Sequence, residues 1–309
     1  MTELDPDVAS YLSARQQYWR PMYELGVQAS RSMMESMPRT PAPEMHAVED
    51  RTLPGPHGPL SVRVYRPNDA ATLPAMVYFH GGALVIGSVE SFDSMARHLA
   101  AATGAMVISV DYRLAPEFPY PVASDEAYAA TRWVLENAAE LGTEPNLVAV
   151  AGDSAGATLA AGVALRARDE QAQSPVFQLL IYAGIDRSLE WPSVLEFADG
   201  PIVTAGDIPW SMNMYLGDDP SRDSPYAVPS LAEDLSGLPP AIVVTASHDV
   251  ARDGAEDYGR RLRDAGVQTA LLRYPGVAHG FLMHADAHAR ARLALAEIGG
   301  IARAKFALA

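Results

Sequence analysis

Six predominantly apolar runs, at residues 75–79, 105–110, 147–151, 177–182, 241–245 and 269–274, leave this chain few folds to choose from. Successive side chains on a strand point to opposite faces, so a strand with one wet face alternates polar and apolar residues. A solid run needs cover on both faces. Amphipathic helical patterns separate the runs at 91–102, 121–141, 155–168 and 252–265, and a last one closes the chain from about Asp286. This alternation predicts an α/β protein with a mostly parallel sheet covered by helices on both faces. Only Leu60, Val62 and Val64, after the turn at 54–58, alternate with polar residues, which predicts an early antiparallel hairpin half exposed to water.

Two stretches do not belong to this rhythm. The first, to about Pro43, opens on Asp5-Pro6, read as a cap and first-turn signal, and carries Val8, Tyr11, Leu12, Tyr18 and Trp19 at helical spacing. Six of the chain's 12 methionines fall by Met45, among them Met33 and Met34. The second, roughly 187–225, sets Trp191, Phe197, Trp210, Met212, Met214 and Tyr215 among prolines and glycines. Methionines and aromatics in such excess suit an adaptable apolar surface, and Met33, Met34, Trp210 and Met214 are the candidate substrate-binding residues. The expected organisation is an N-terminal segment 1–43, a body 44–186, an insertion 187–225 and the rest of the body 226–309.

Charge and cysteine content narrow the chemistry. With 23 Lys and Arg against 38 Asp and Glu, the net charge is −15, which opposes binding to nucleic acid or to an anionic membrane. Without cysteine, the nucleophile of any covalent chemistry is an oxygen or a nitrogen. The opening MTELDPDVAS lacks a basic start and an apolar run, and no stretch stays apolar long enough to span a bilayer, so a cytoplasmic location is expected.

Gly152-Asp153-Ser154-Ala155-Gly156 lies between the run 147–151 and a helical pattern, and fits G-x-S-x-G. A strand turning sharply into a helix forces its central residue into strained dihedral angles. Glycines two positions to either side remove the collisions this creates, and the Ser154 hydroxyl projects beside a helix N-terminus. A serine needs an oxyanion trap, a base and an acid. The run 75–79 leads into His80-Gly81-Gly82-Ala83, where Gly81 and Gly82, with the N–H of Ala155, are the candidate donors. Gly81 and Gly82 are expected in unusual conformations and Ala83 at negative φ; His80 is read as structural. Of the downstream histidines, His279 follows the last apolar run directly. His284 and His288 are four residues apart without a third ligand, so no metal is expected, and His248 is read as a rim or packing residue. Asp249, just after the run 241–245, is preferred as the acid over Asp253, which reads as a helix-start residue. The order Ser154, Asp249, His279 is that of α/β-hydrolases.

Together with Asp111-Tyr112-Arg113-Leu114-Ala115-Pro116-Glu117 and Asp223-Ser224-Pro225-Tyr226, these motifs resemble the hormone-sensitive lipase family of bacterial carboxylesterases over nearly the whole chain. The resemblance implies an eight-stranded α/β-hydrolase body with a helical cap made of the N-terminal segment and the insertion. It implies hydrolysis of short to medium acyl esters without a cofactor, with a small-molecule ester as partner and a homodimer allowed. Two departures stand out: Ala83 replaces a usual third glycine, and Asp249-Val250-Ala251 replaces Asp-Pro-Leu. The residues Asp111, Arg113 and Glu117 are read as tying a turn together.

Overall fold

The computed structural model describes residues 3–16, 19–217 and 223–309; Tyr18 lies outside them. Eight strands, β1 (Ala47–Leu53), β2 (Leu60–Arg66), β3 (Ala75–Phe79), β4 (Met106–Val110), β5 (Val148–Asp153), β6 (Gln178–Ile181), β7 (Ala241–His248) and β8 (Thr269–Ala278), form one sheet in the order β1-β2-β4-β3-β5-β6-β7-β8. The β1 and β2 pairings are antiparallel and the rest parallel. Strands β3 to β6 are buried at every position, which is why their sequences lack alternation. On β3, Ala75, Val77 and Phe79 enter one core while Met76 and Tyr78 enter the other, on the opposite face. Each such fully buried large side chain contributes about 1.5–3 kcal/mol relative to exposure.

Helices α3 (Asp93–Thr103) and α10 (Ala289–Ala307) pack together over one face, and α4 (Val122–Glu136), α6 (Ala155–Asp169) and α9 (Arg252–Asp264) cover the other. A single turn, α5 (Ala138–Leu141), follows α4. Helix α1 (Pro6–Gln16) docks on β8, whereas α2 (Met22–Glu35) packs against α8 (Asp207–Leu216) of the insertion, and α7 (Pro192–Glu196) rests on α9. Pro6 opens α1, but the Asp5 carboxylate pairs with Arg290; it is Asp7 that accepts the N–H of Ala289, at 2.9 Å, capping the start of α10. Among the described residues, no helix is long and apolar enough to cross a membrane.

Sequence and structure part at the end of β8. The apolar run ends at Tyr274 and the residues from Gly276 read as a loop, but the strand continues to Ala278 through an irregular register, where Ala246 faces Tyr274 and His248 faces Ala278. The extra residues on β8 are accommodated as a bulge, where proline and a glycine at φ 73° are tolerated. The Ser247 hydroxyl accepts the Gly276 N–H at 2.9 Å and holds the bulge.

Candidate active site

Ser154 stands between β5 and α6 at φ 52°, ψ −120°, a conformation that costs a non-glycine residue on the order of 1–3 kcal/mol unless its surroundings impose it. Here they do. The Ser154 N–H donates to Ile181 O at 2.8 Å, and Ser154 O accepts from Ala157 and Gly184. A side chain at Gly152 would collide with the Gly156 backbone, and one at Gly156 with the carbonyl of Phe79 on the neighbouring strand.

The bulge between β7 and β8 brings the other two residues together. His279 Nδ1 lies 2.8 Å from Asp249 Oδ2, and its Nε2 lies 2.8 Å from Ser154 Oγ. A carboxylate only accepts, so Nδ1 carries the proton and Nε2 is left to accept from the serine hydroxyl. The Ala251 N–H donates to the other Asp249 oxygen at 2.9 Å. Burial pushes the His279 imidazole down. The Asp249 charge, the hydrogen bond to it and the more distant Asp153 outweigh that burial and hold His279 above its ordinary 6.5. The Asp253 carboxylate is hydrogen-bonded to Ser193 and Arg252, while His279 is hydrogen-bonded to Asp249. Asp253 also does not cap its own helix: its carboxylate accepts the Ser193 N–H at 2.8 Å while Ser193 Oγ accepts the Asp253 N–H at 3.1 Å, so each stabilises the start of the other's helix.

The loop after β3 corrects two expectations. Gly81 does not have positive φ, and its N–H is already given to Asp153 Oδ1 at 2.9 Å, so it has no donor left for a substrate. It must be glycine because a Cβ would stand 2.6 Å from Asp153 Oδ2. Ala83 sits at φ 58°, not at negative φ, with Gly82 at 110° and Leu84 at 62°. Among the described residues, the N–H groups of Gly82, Ala83 and Ala155 have no acceptor, and all three residues line one cavity with Ser154 and His279. A Cβ on Gly82 would collide with the Ile86 carbonyl.

Asp153, which sequence reasoning passed over, is buried and also accepts the Tyr78 hydroxyl at 2.6 Å. Burial raises its carboxyl to about 6, against the lowering effect of Tyr78, His279 and the Gly81 N–H. Its signal was a carboxylate ending an apolar strand. His80 is buried and stacked between Phe92 and Tyr112, with Nδ1 2.7 Å from Gly81 O. The motif 111–117 does not tie itself: Asp111 accepts the Val89 N–H, Arg113 pairs with Glu126 and Glu117 with Arg31.

The cavity has a volume of about 590 Å³. Met33, Met34 and Met212 line it, with Trp19, Trp191 and Ile208. Trp210 and Met214 do not; they pack on the sheet core. Helical phase explains the split: Ile208 and Met212 are four apart on one face of α8, and Trp210 and Met214 are four apart on the other. His284 lies 2.7 Å from the Tyr11 hydroxyl and its ring meets His288 edge-on. His248 contacts Ser247 and lies against Phe197. Among the described residues, no group of three or more His, Asp or Glu is placed to hold a metal.

A strained serine on a strand-to-helix turn, at the carboxyl end of a parallel sheet and beside a histidine and an aspartate, defines the class: this is an α/β hydrolase. A family model described as alpha/beta hydrolase fold matches residues 76–283, and the chain belongs to that family. The chain is 42% identical over 267 residues to the esterase LipI of Mycobacterium tuberculosis, covering 84% of this chain and 82% of that protein. It is 35% identical over 292 residues to an ethyl acetate hydrolase of Pseudomonas putida, covering 90% and 92%. A hyperthermophilic esterase from Pyrobaculum calidifontis superposes with a TM-score of 0.88 at 40% identity, over 99% of this chain and 100% of that one. Within the family this chain stands with the hormone-sensitive-lipase-like carboxylesterases, and it is a carboxylic ester hydrolase.

Proposed function

We propose that the ester is cleaved by acyl transfer through Ser154. Its Oγ bonds to the ester carbonyl carbon as His279 Nε2 takes the hydroxyl proton, and Asp249 steadies the resulting imidazolium. The carbonyl oxygen, now negative, is received by the N–H groups of Gly82, Ala83 and Ala155. On collapse the bond to the alcohol breaks and His279 returns the proton to the leaving oxygen. Water then repeats the sequence on the acyl-serine, releasing the acid. The observation that carries this reading is the unbroken line Asp249–His279–Ser154, with 2.8 Å at both steps, ending in a cavity that unclaimed backbone donors also face.

The substrate proposed is a small ester with a short to medium acyl chain, supported by the bounded, methionine- and tryptophan-lined cavity and by a relative named for ethyl acetate. Nucleic acid is not a partner in this reading, since a net charge of −15 repels a phosphate backbone. Pre-steady-state hydrolysis of 4-nitrophenyl esters from acetate to palmitate tests the proposal. A burst of about one nitrophenolate per chain, with turnover greatest between acetate and octanoate, is expected. Undiminished turnover in Ser154→Ala, or a maximum at palmitate, would contradict it.

A further inference from the structure

The segment 81–87 runs through three consecutive residues at positive φ, Gly82, Ala83 and Leu84, two of which carry side chains. Its internal support is slight: the N–H groups of Val85 and Ile86 both donate to Gly82 O. A strained segment keeps one shape only where neighbouring structure over-determines it. From the body come the Ala115 N–H on Leu84 O, at 2.9 Å, and Asp153 on the Gly81 N–H. Leu84, Val85 and Ile86 are buried in the core and His80 Nδ1 lies 2.7 Å from Gly81 O; polar support also comes from helix α2, in the N-terminal segment. Arg31 Nε donates to Val85 O at 2.9 Å, its Nη2 donates to Ala115 O at 3.0 Å, and its two Nη atoms hold the Glu117 carboxylate at 2.8 and 2.6 Å. One turn along the same face, Glu35 accepts the Ser88 hydroxyl at 2.9 Å. Arg31 does not line the cavity, whereas Met33 and Met34 do.

We propose that Arg31 is a positioning residue for the oxyanion loop, its guanidinium joining Val85, Ala115 and Glu117 so that helix α2 fixes the aim of the Gly82 and Ala83 N–H groups. The inference rests on reading those two groups as oxyanion donors. Only a planar fork of N–H donors reaches three acceptors at fixed angles; an ammonium offers a point charge. A half-exposed ion pair adds little to stability, so a large loss on removing this one comes through the loop's aim. The Arg31 hydrogen bond also holds the Glu117 carboxyl below its ordinary range, so the pair persists to more acidic pH than an ordinary glutamate would allow.

Steady-state kinetics on 4-nitrophenyl butyrate, with thermal unfolding in parallel, test this on Arg31→Met, Arg31→Lys, Gly82→Ala and the double variant Arg31→Met/Gly82→Ala. Arg31→Met is expected to lower kcat about tenfold or more, up to the roughly 10²–10³-fold that loss of a donor costs, while KM stays within about twofold. Arg31→Lys should recover part of the loss. The double variant should be much better than the product of the single losses, because both substitutions act on the same donors. Should Arg31→Met not fold, Glu117→Gln replaces it, with a few-fold loss in kcat at unchanged KM. Wild-type kcat in whichever variant is used, a loss carried by KM, or multiplicative losses in the double variant would overturn the inference. If Gly82→Ala is damaged while Arg31→Met is not, the oxyanion reading survives and the role of Arg31 falls. If neither substitution matters, both fall.

Discussion

The turn at Ser154 and the loop at 81–87 both hold side-chain-bearing residues at positive φ, but they are held in different ways. The turn is wedged into the sheet: β5 on one side, α6 on the other, the Ser154 N–H on Ile181 O of the adjacent strand, and two glycines whose replacement would drive backbone into backbone. The loop is held from outside, by Asp153, by Ala115 and by Arg31 from a helix more than fifty residues earlier in the chain. A site can thus combine a nucleophile whose geometry is set by the sheet with donors whose geometry is partly borrowed from a helix outside it. Damage to the first should be nearly all-or-none, and damage to the second graded.

The largest effect should follow removal of the reacting groups. Ser154→Ala and His279→Ala should each lower kcat by about 10⁴–10⁶-fold, and the double variant should be little worse than either, because the groups act as one unit. Losses that multiplied would show two independent roles and break the contrast on the side of the turn. Next, Gly82→Ala should cost roughly 10²–10³ in kcat, the loss expected for one misaimed donor, measured by single-turnover acylation. Indifference there would mean that the donors lie elsewhere.

A smaller effect, in pH, separates the histidine from the loop. Neutral imidazole is the working form, and His279 is held above 6.5, so kcat/KM should fall as pH drops through a value above 6.5. In Asp249→Asn the main raising influence is gone, so the acid limb should move down even as the rate drops. A limb that stays put would show that it belongs to another group. The smallest effect should be at Ala83→Gly. Relief of the left-handed strain and the greater freedom of glycine in the unfolded chain each amount to about 1 kcal/mol with opposite signs, so the unfolding midpoint should barely move. A large shift would mean that the methyl of Ala83 is itself a packing contact.

The same contrast explains what could be read from the sequence. The sheet was legible because β3, β4, β5 and β6 are buried on both faces and so show solid apolar runs. The turn at Ser154 was legible because its glycines answer to collisions within a few residues and with the adjacent strand. The meeting of Asp249, His279 and Ser154 followed from their order along the sheet. Loop 81–87 was not legible in the same way. That the Gly81 N–H is taken by Asp153, or that Ala83 tolerates positive φ, depends on groups far away in sequence. Composition also could not separate Met212, which faces the cavity, from Met214, which does not, because the helical phase of α8 decides it. The end of β8 was misplaced at Tyr274 because the apolar run stops there and nothing in it signals a bulge.

The most direct test of the central claim is to trap the covalent intermediate and locate it. Wild-type protein, quenched during turnover of a 4-nitrophenyl ester, digested and weighed by mass spectrometry, should carry an acyl group on the peptide containing Ser154. The modification should be absent from Ser154→Ala. An acyl group on another residue, or wild-type turnover by Ser154→Ala, would contradict the account.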